Sequence, residues 1–221
     1  MVLNNLGQVA YDQGNYDRAH ALFEESLALW WEVRGRWGIA YLLDNKGRVA
    51  RCQGDDATAR SLFAVSLAMR RELGDKWGIG ASLINLGIEA ADAGEAVRAR
   101  ALLQEGIGVW HELGDRRGIA RCLEALAELW GAQGQPERMA RLLGAAQTLR
   151  EAVRSPLPVS ERTRHERRVA AARAALDHQD FAHRWAEGRA MTLEQALACA
   201  LETTAARSVQ GEAEGARLGE H

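Results

Sequence analysis

The chain has 221 residues, with 47% hydrophobic and 26% charged residues and a formal charge of −2. These values exclude a disordered polyelectrolyte, and the charge balance gives no pointer to direct nucleic-acid binding. No basic N-terminal segment leads into an apolar run and no stretch approaches ~18 consecutive apolar residues, so neither export nor membrane spanning is expected, and a cytoplasmic location is.

The sequence repeats every forty residues. Leu3, Gly7, Gly14, Ala19, Phe23 and Leu27 recur as Leu43, Gly47, Gly54, Ala59, Phe63 and Leu67, then as Leu83, Gly87, Gly94, Ala99, Leu103 and Ile107. A drifting fourth copy reads Leu123, Ala127, Gly134, Met139, Leu143 and Gln147. A fixed period of this length implies stacked supersecondary units that bury a continuous core only against their neighbours. Four units are expected, over residues 1–34, 35–74, 75–114 and 115–154. The first lacks the entry that later copies have before its first helix, as in Asp75-Lys76-Trp77-Gly78-Ile79, which suggests a piece of a longer chain.

The third unit shows the local punctuation. Gly74 suits the left-handed end of a helix and Asp75 suits a cap, so helix A is expected over Lys76 to Ala93. Gly94 breaks the chain and helix B follows over Ala96 to Leu113. Leu83, Leu86, Gly87 and Ala90 make one helical stripe and Ala99, Leu102, Leu103 and Ile107 another. The loop near Gly94 is short enough that the two stripes must face each other in an antiparallel pair.

Leu3-x2-Leu6-Gly7-x2-Ala10 followed by Ala19-x3-Phe23 resembles the tetratricopeptide repeat, with about six residues added per unit where helix B meets the next helix A. A HEAT-type repeat matches the period but gives no reason for the Leu-Gly and Ala-x3-Phe signatures. The wording LFEESLALWWEVRGRWGIAYLLDNKGRVA is similar to the long-helix arrays that end bacterial ATPase regulators of the signal-transduction class, including the maltotriose-responsive activator and regulators with a LuxR-type DNA-binding domain. The resemblance implies an all-α, right-handed α-solenoid with a helical C-terminal cap, acting as a non-catalytic interaction or sensor module.

Beyond Val153 the prolines of Arg154-Ser155-Pro156-Leu157-Pro158 end the period. Helices are expected from Ser160 to about Leu176, over Gln179 to Ala190 and over Leu193 to Leu201, so that residues 155–203 cap the exposed end of the stack. Residues 204–221 read as a disordered tail.

No catalytic or phosphate-binding motif is present, and no cofactor or metal is expected. His178 and His183 lack a third ligand. Cys52, Cys122 and Cys199 form no CxxC pair and are expected to be buried. The charged run from Glu161 to Arg168 reads as a solvated helix face, with a phosphate-binding patch as the competing reading. Trp30, Trp110, Trp37 and Trp77 recur at the junction between units and are expected to pack there, with Arg70, Arg150 and Arg117 partly buried at the equivalent positions. Asn5, Asn45 and Asn85 recur in register, which favours a structural hydrogen bond.

The resemblance places binding on the concave face of the A helices. Carried over by register, that face is Asn4, Gln8, Tyr11 and Asp12; Tyr41, Asp44, Arg48 and Arg51; Ile84, Ile88 and Asp92; and Arg121, Glu124 and Glu128. The expected partner is a peptide, helix or domain of a protein, including domains attached in a longer regulator. A small-molecule inducer and self-association of the array are the alternatives.

Overall fold

The computed structural model describes residues 2–154, 157 and 159–201, with the side chains of 159–161 excepted. The expectations for Met1, for the prolines at 156 and 158, for the cap at Ser160 and for the tail at 204–221 lie outside the described residues. Eight helices form four antiparallel pairs: α1 (Val2–Asp12) with α2 (Tyr16–Glu32), α3 (Arg36–Cys52) with α4 (Asp56–Leu73), α5 (Lys76–Asp92) with α6 (Ala96–Glu112), and α7 (Arg116–Ala132) with α8 (Pro136–Ala152). Three more follow, α9 (Val159–Ala174), α10 (His178–Ala190) and α11 (Leu193–Leu201).

Local chemistry sets these boundaries. The side chains of Asn15, Asp55, Asp75 and Asp115 accept from backbone N–H groups three residues on, which satisfies donors that a first helical turn leaves without partners. Each pair turns through a glycine at positive φ, from Gly14 to Gly134, and Gly74 and Gly114 close α4 and α6 the same way. At the equivalent junctions after α2 and α8, Arg34 and Arg154 carry φ of 51° and 47° without glycine's freedom.

Packing within a pair depends on the repeated small residue of helix A. A Cβ on Gly7 or Gly47 would overlap the ring of Phe23 or Phe63, and one on Gly87 would overlap Leu103. The backbones therefore approach closely while Leu83, Ala90, Ala99 and Leu103 are fully buried. Leu6 departs from its stripe: it is 47% exposed, whereas its counterparts Leu86 and Leu126 are buried. The core grows towards the C-terminal half, where residues from α5 to α11 form one continuous cluster.

The junctions between units correct three expectations. Trp30 and Trp110 do pack, their rings lying where a Cβ on Gly38 or Gly118 would stand. Trp37 and Trp77, by contrast, are more than half exposed. Arg70 and Arg150 are buried rather than partly buried. Arg70 covers Gly78 and its Nη1 donates to the Gly78 carbonyl at 2.6 Å, so the aliphatic stem replaces an indole and part of the head is paired. Arg117 is exposed. Of the cysteines, Cys122 and Cys199 are buried but Cys52 is exposed near the end of α3.

After the fourth pair the three last helices part company. Helix α10 lies on α8 at a crossing where a Cβ on Gly188 would overlap the backbone of Arg141, and one on Gly144 the backbone of Trp185. Helix α11 lies against α8 and α6. Helix α9 touches α7 and α8 and reaches α1, which places it across the inner side of the array.

Candidate functional site

Helices α1, α3, α5 and α7 follow one another along the inner side, and their repeated polar positions form a ladder. Asn45 Nδ2 donates to Asn4 Oδ1 at 3.2 Å, and Asn85 Nδ2 donates to Asp44 Oδ2 at 3.0 Å. The other Asp44 oxygen accepts from Ser82 Oγ at 3.0 Å. The recurring asparagine is thus a donor to the preceding A helix at Asn45 and Asn85, while Asn5 on the first described helix is exposed. Arg48 Nη1 donates to Gln8 Oε1 at 3.1 Å and its guanidinium lies 4.3 Å from the Tyr11 ring centroid. Burial pushes the Tyr11 phenol up against the opposing charge of Arg48.

Gln8, Asp12, Tyr41, Asp44, Arg48 and Arg121 line a cleft of about 400 Å³. Sequence reasoning missed Trp77 and Arg117 in the same lining. Trp77 stands edge-on to Trp110 at 5.6 Å, and Trp37 stacks on Tyr41 at 5.5 Å, so the aromatic residues of the lengthened junction gather at this mouth. Deeper in, Ile84 and Ile88 are buried and lie, with Tyr11, Arg51 and Glu124, around a smaller chamber of about 70 Å³.

The acidic residues expected on this face have a different setting. Arg164 of α9 donates to Asp92 Oδ1 and to Glu128 Oε2, both at 3.0 Å, and Arg168 Nε donates to Glu128 Oε2 at 2.9 Å. Glu124 is buried, and Arg150 holds it with two parallel bonds of 2.7 and 2.8 Å. His165 Nδ1 is 3.6 Å and Arg168 Nη1 is 3.8 Å from the same carboxylate. Burial alone would raise the Glu124 pKa, but the Arg150 bonds and the surrounding cations outweigh it and hold the group at about 2. Glu128 is lowered in the same way, its desolvation outweighed by Arg168 and Arg164.

The charged run from Glu161 to Arg168 is therefore two faces rather than one solvated surface. Arg164 and Arg168 are four residues apart and meet the carboxylates, while Arg162, Thr163, Glu166 and Arg167 are exposed. A phosphate patch built on Arg164 and Arg168 is countered by the same ion pairs. The signal that would have found the inward face is the i, i+4 arginine pair read together with Asp92, Glu124 and Glu128.

Residues 1–72 match the family model described as tetratricopeptide repeat. No curated protein matched the chain. Among solved structures, the nearly identical TPR-like repeats of a kinesin light chain described from Podosopora anserina are similar, with 18% identity, a TM-score of 0.58, and coverage of 86% of this chain and 92% of that one. Among the described residues no helix is long and apolar enough to cross a membrane. The tetratricopeptide model thus covers residues 1–72, repeats of a kind that generally mediate protein–protein interaction, and the likeness to the solved structure extends a TPR-like helical-repeat fold over most of the chain.

Proposed function

We propose that the chain is a non-catalytic binding module whose concave face receives a helix or extended segment of a partner protein, and that it works as the C-terminal part of a bacterial ATPase-type transcriptional or signalling regulator. One observation carries the binding part of this reading. The chain lays a helix of its own, α9, on the inner side and fixes it with Arg164 and Arg168 on Asp92, Glu124 and Glu128. A face that accepts its own basic helix has the shape and charge to accept another, in the helix-in-groove manner. The unfilled part, around Tyr41, Asp44, Arg48 and Arg121, offers mixed charge and an aromatic rim to the rest of such a segment. The regulator context rests on the resemblance of the repeat wording, and an in-frame ATPase domain encoded upstream of Met1 is its test.

The binding reading is tested with a labelled peptide of residues 162–176 added in trans. In the Arg164→Glu variant, whose own α9 is repelled by Asp92 and Glu128, the peptide is expected to bind with micromolar affinity. The wild type, with the place filled, is expected to bind it at least ~10-fold more weakly. Failure of the peptide to bind a folded Arg164→Glu variant would count against a helix-receiving face.

A further inference from the structure

The 70 Å³ chamber at the centre of the inner face has an unusual wall. Arg48, Arg51, Arg121, Arg164 and Arg168 converge on it with a single carboxylate, Glu124, and its apolar surface comes from Tyr11, Ile84 and Ile88. Arg164 and Arg168 are held by Asp92, Glu124 and Glu128, which explains their positions. Arg51 is different. Its Nη1 is buried and has no hydrogen-bond partner among the described residues, and its nearest carboxylate oxygen, on Glu89, is 3.5 Å away. Burial pushes the Glu89 carboxyl up despite the opposing charge of Arg51, and the guanidinium also lies 5.6 Å from the Phe63 ring centroid. A buried cationic donor held only by a long ion pair leaves free energy that an incoming oxyanion would recover by a shorter bond, and the apolar wall strengthens such a contact by lowering the local dielectric.

We propose that this chamber binds the oxyanion head, carboxylate or phosphate, of a small organic molecule whose body occupies the adjoining 400 Å³ cleft. The two spaces share Arg48 and Arg121, so one ligand can span them. Tyr41 and Trp77 in the cleft suit a flat or apolar body, and Arg51 supplies the donor at the deep end. Because α9 contributes Arg164 and Arg168 to the wall, the site is complete only while α9 lies in place, and occupancy favours that arrangement. The site goes beyond the protein-binding reading and does not depend on it.

Calorimetric titration of the full chain at constant ionic strength tests this, with phenyl phosphate, phenylacetate and inorganic phosphate as anionic probes and phenol as the neutral control. At least one anionic aromatic probe is expected to bind saturably at one site, more tightly than inorganic phosphate, with phenol giving no saturable heat. Preference for phenyl phosphate or for phenylacetate assigns the head group. Arg51→Gln and Arg121→Gln are each expected to weaken binding roughly tenfold or more, the worth of a charge-assisted bond. Arg60→Gln, outside both cavities, is expected to leave binding unchanged. Circular dichroism identifies a variant that fails to fold, and the other arginine variant then decides. No saturable binding of any anionic probe up to about 10 mM would overturn the proposal, since a built site should exceed that affinity. Binding that both arginine variants retain would overturn it equally, because it marks attraction to surface cations.

Discussion

One register position reads Asn4, Asp44, Ile84 and Glu124 along the four repeats, and the two ends of that series serve different purposes. Asn4 is half-buried and accepts one bond from the next A helix. Glu124 is 3% exposed, is clamped by Arg150 and lies beside Arg168 of α9. The arginine that clamps it has its own history in the repeat. Trp30, Arg70 and Trp110 each cover the first turn of the following A helix at Gly38, Gly78 and Gly118. Arg150 stands in the same place in the last unit, where no fifth repeat follows, and it turns to Glu124 instead. A position on the concave face is thus surface or core according to what the chain later lays upon it.

This contrast gives the largest expected effect. Glu124→Gln leaves Arg150 and Arg168 buried beside a neutral group and is expected to destabilise the fold by ~3–5 kcal/mol, the usual cost of removing one partner from a buried pair. Gln8→Ala at the open end is expected to cost about 0.5 kcal/mol or less. Urea unfolding of the two variants measures the difference, and equal costs would mean that the two ends of the face are not distinct.

Acid supplies a second and somewhat smaller contrast. The folded Glu124 pKa of about 2 lies below its ordinary value, so its contribution is fully present above that ordinary value and is lost as pH falls towards 2. The amount is roughly 3 kcal/mol. Glu128, also lowered, acts in the same direction. Stability followed by denaturation from pH 7 down to pH 3 should therefore fall steeply in the wild type and less steeply in Glu124→Gln. Parallel curves would remove Glu124 from the account.

Much of the scaffold was legible from residues whose partners are local or one repeat away. Gly87 and Leu103, or Asp75 and Gly78, meet because helical geometry and a short loop bring them together, and the forty-residue period then copies the arrangement. The asparagine ladder was legible for the same reason, as Asn85 reaches Asp44 in the preceding A helix. The inward face of α9 was not. Arg164 meets Asp92 across 72 residues, and nothing in a charged helical pattern distinguishes a face turned to water from one turned to carboxylates that far back. Tyr11, Asp44, Ile84, Ile88 and Glu124, positions that register alone places on a surface, are buried as well. Trp37 and Trp77 failed in the opposite sense, since recurrence and size suggested packing while their neighbours leave both indoles at the rim.

The central claim is that α9 fills the acidic part of the concave face through Asp92 and Glu128. Hydrogen exchange of the α9 amides, compared between the wild type and the double variant Asp92→Lys with Glu128→Lys, tests it most directly. The amides of residues 164–173 should be protected in the wild type and exchange at least ~10-fold faster in the variant, while those of α5 and α6 keep their protection. Protection of α9 that survives the charge reversal, or that is already missing in the wild type, would contradict it.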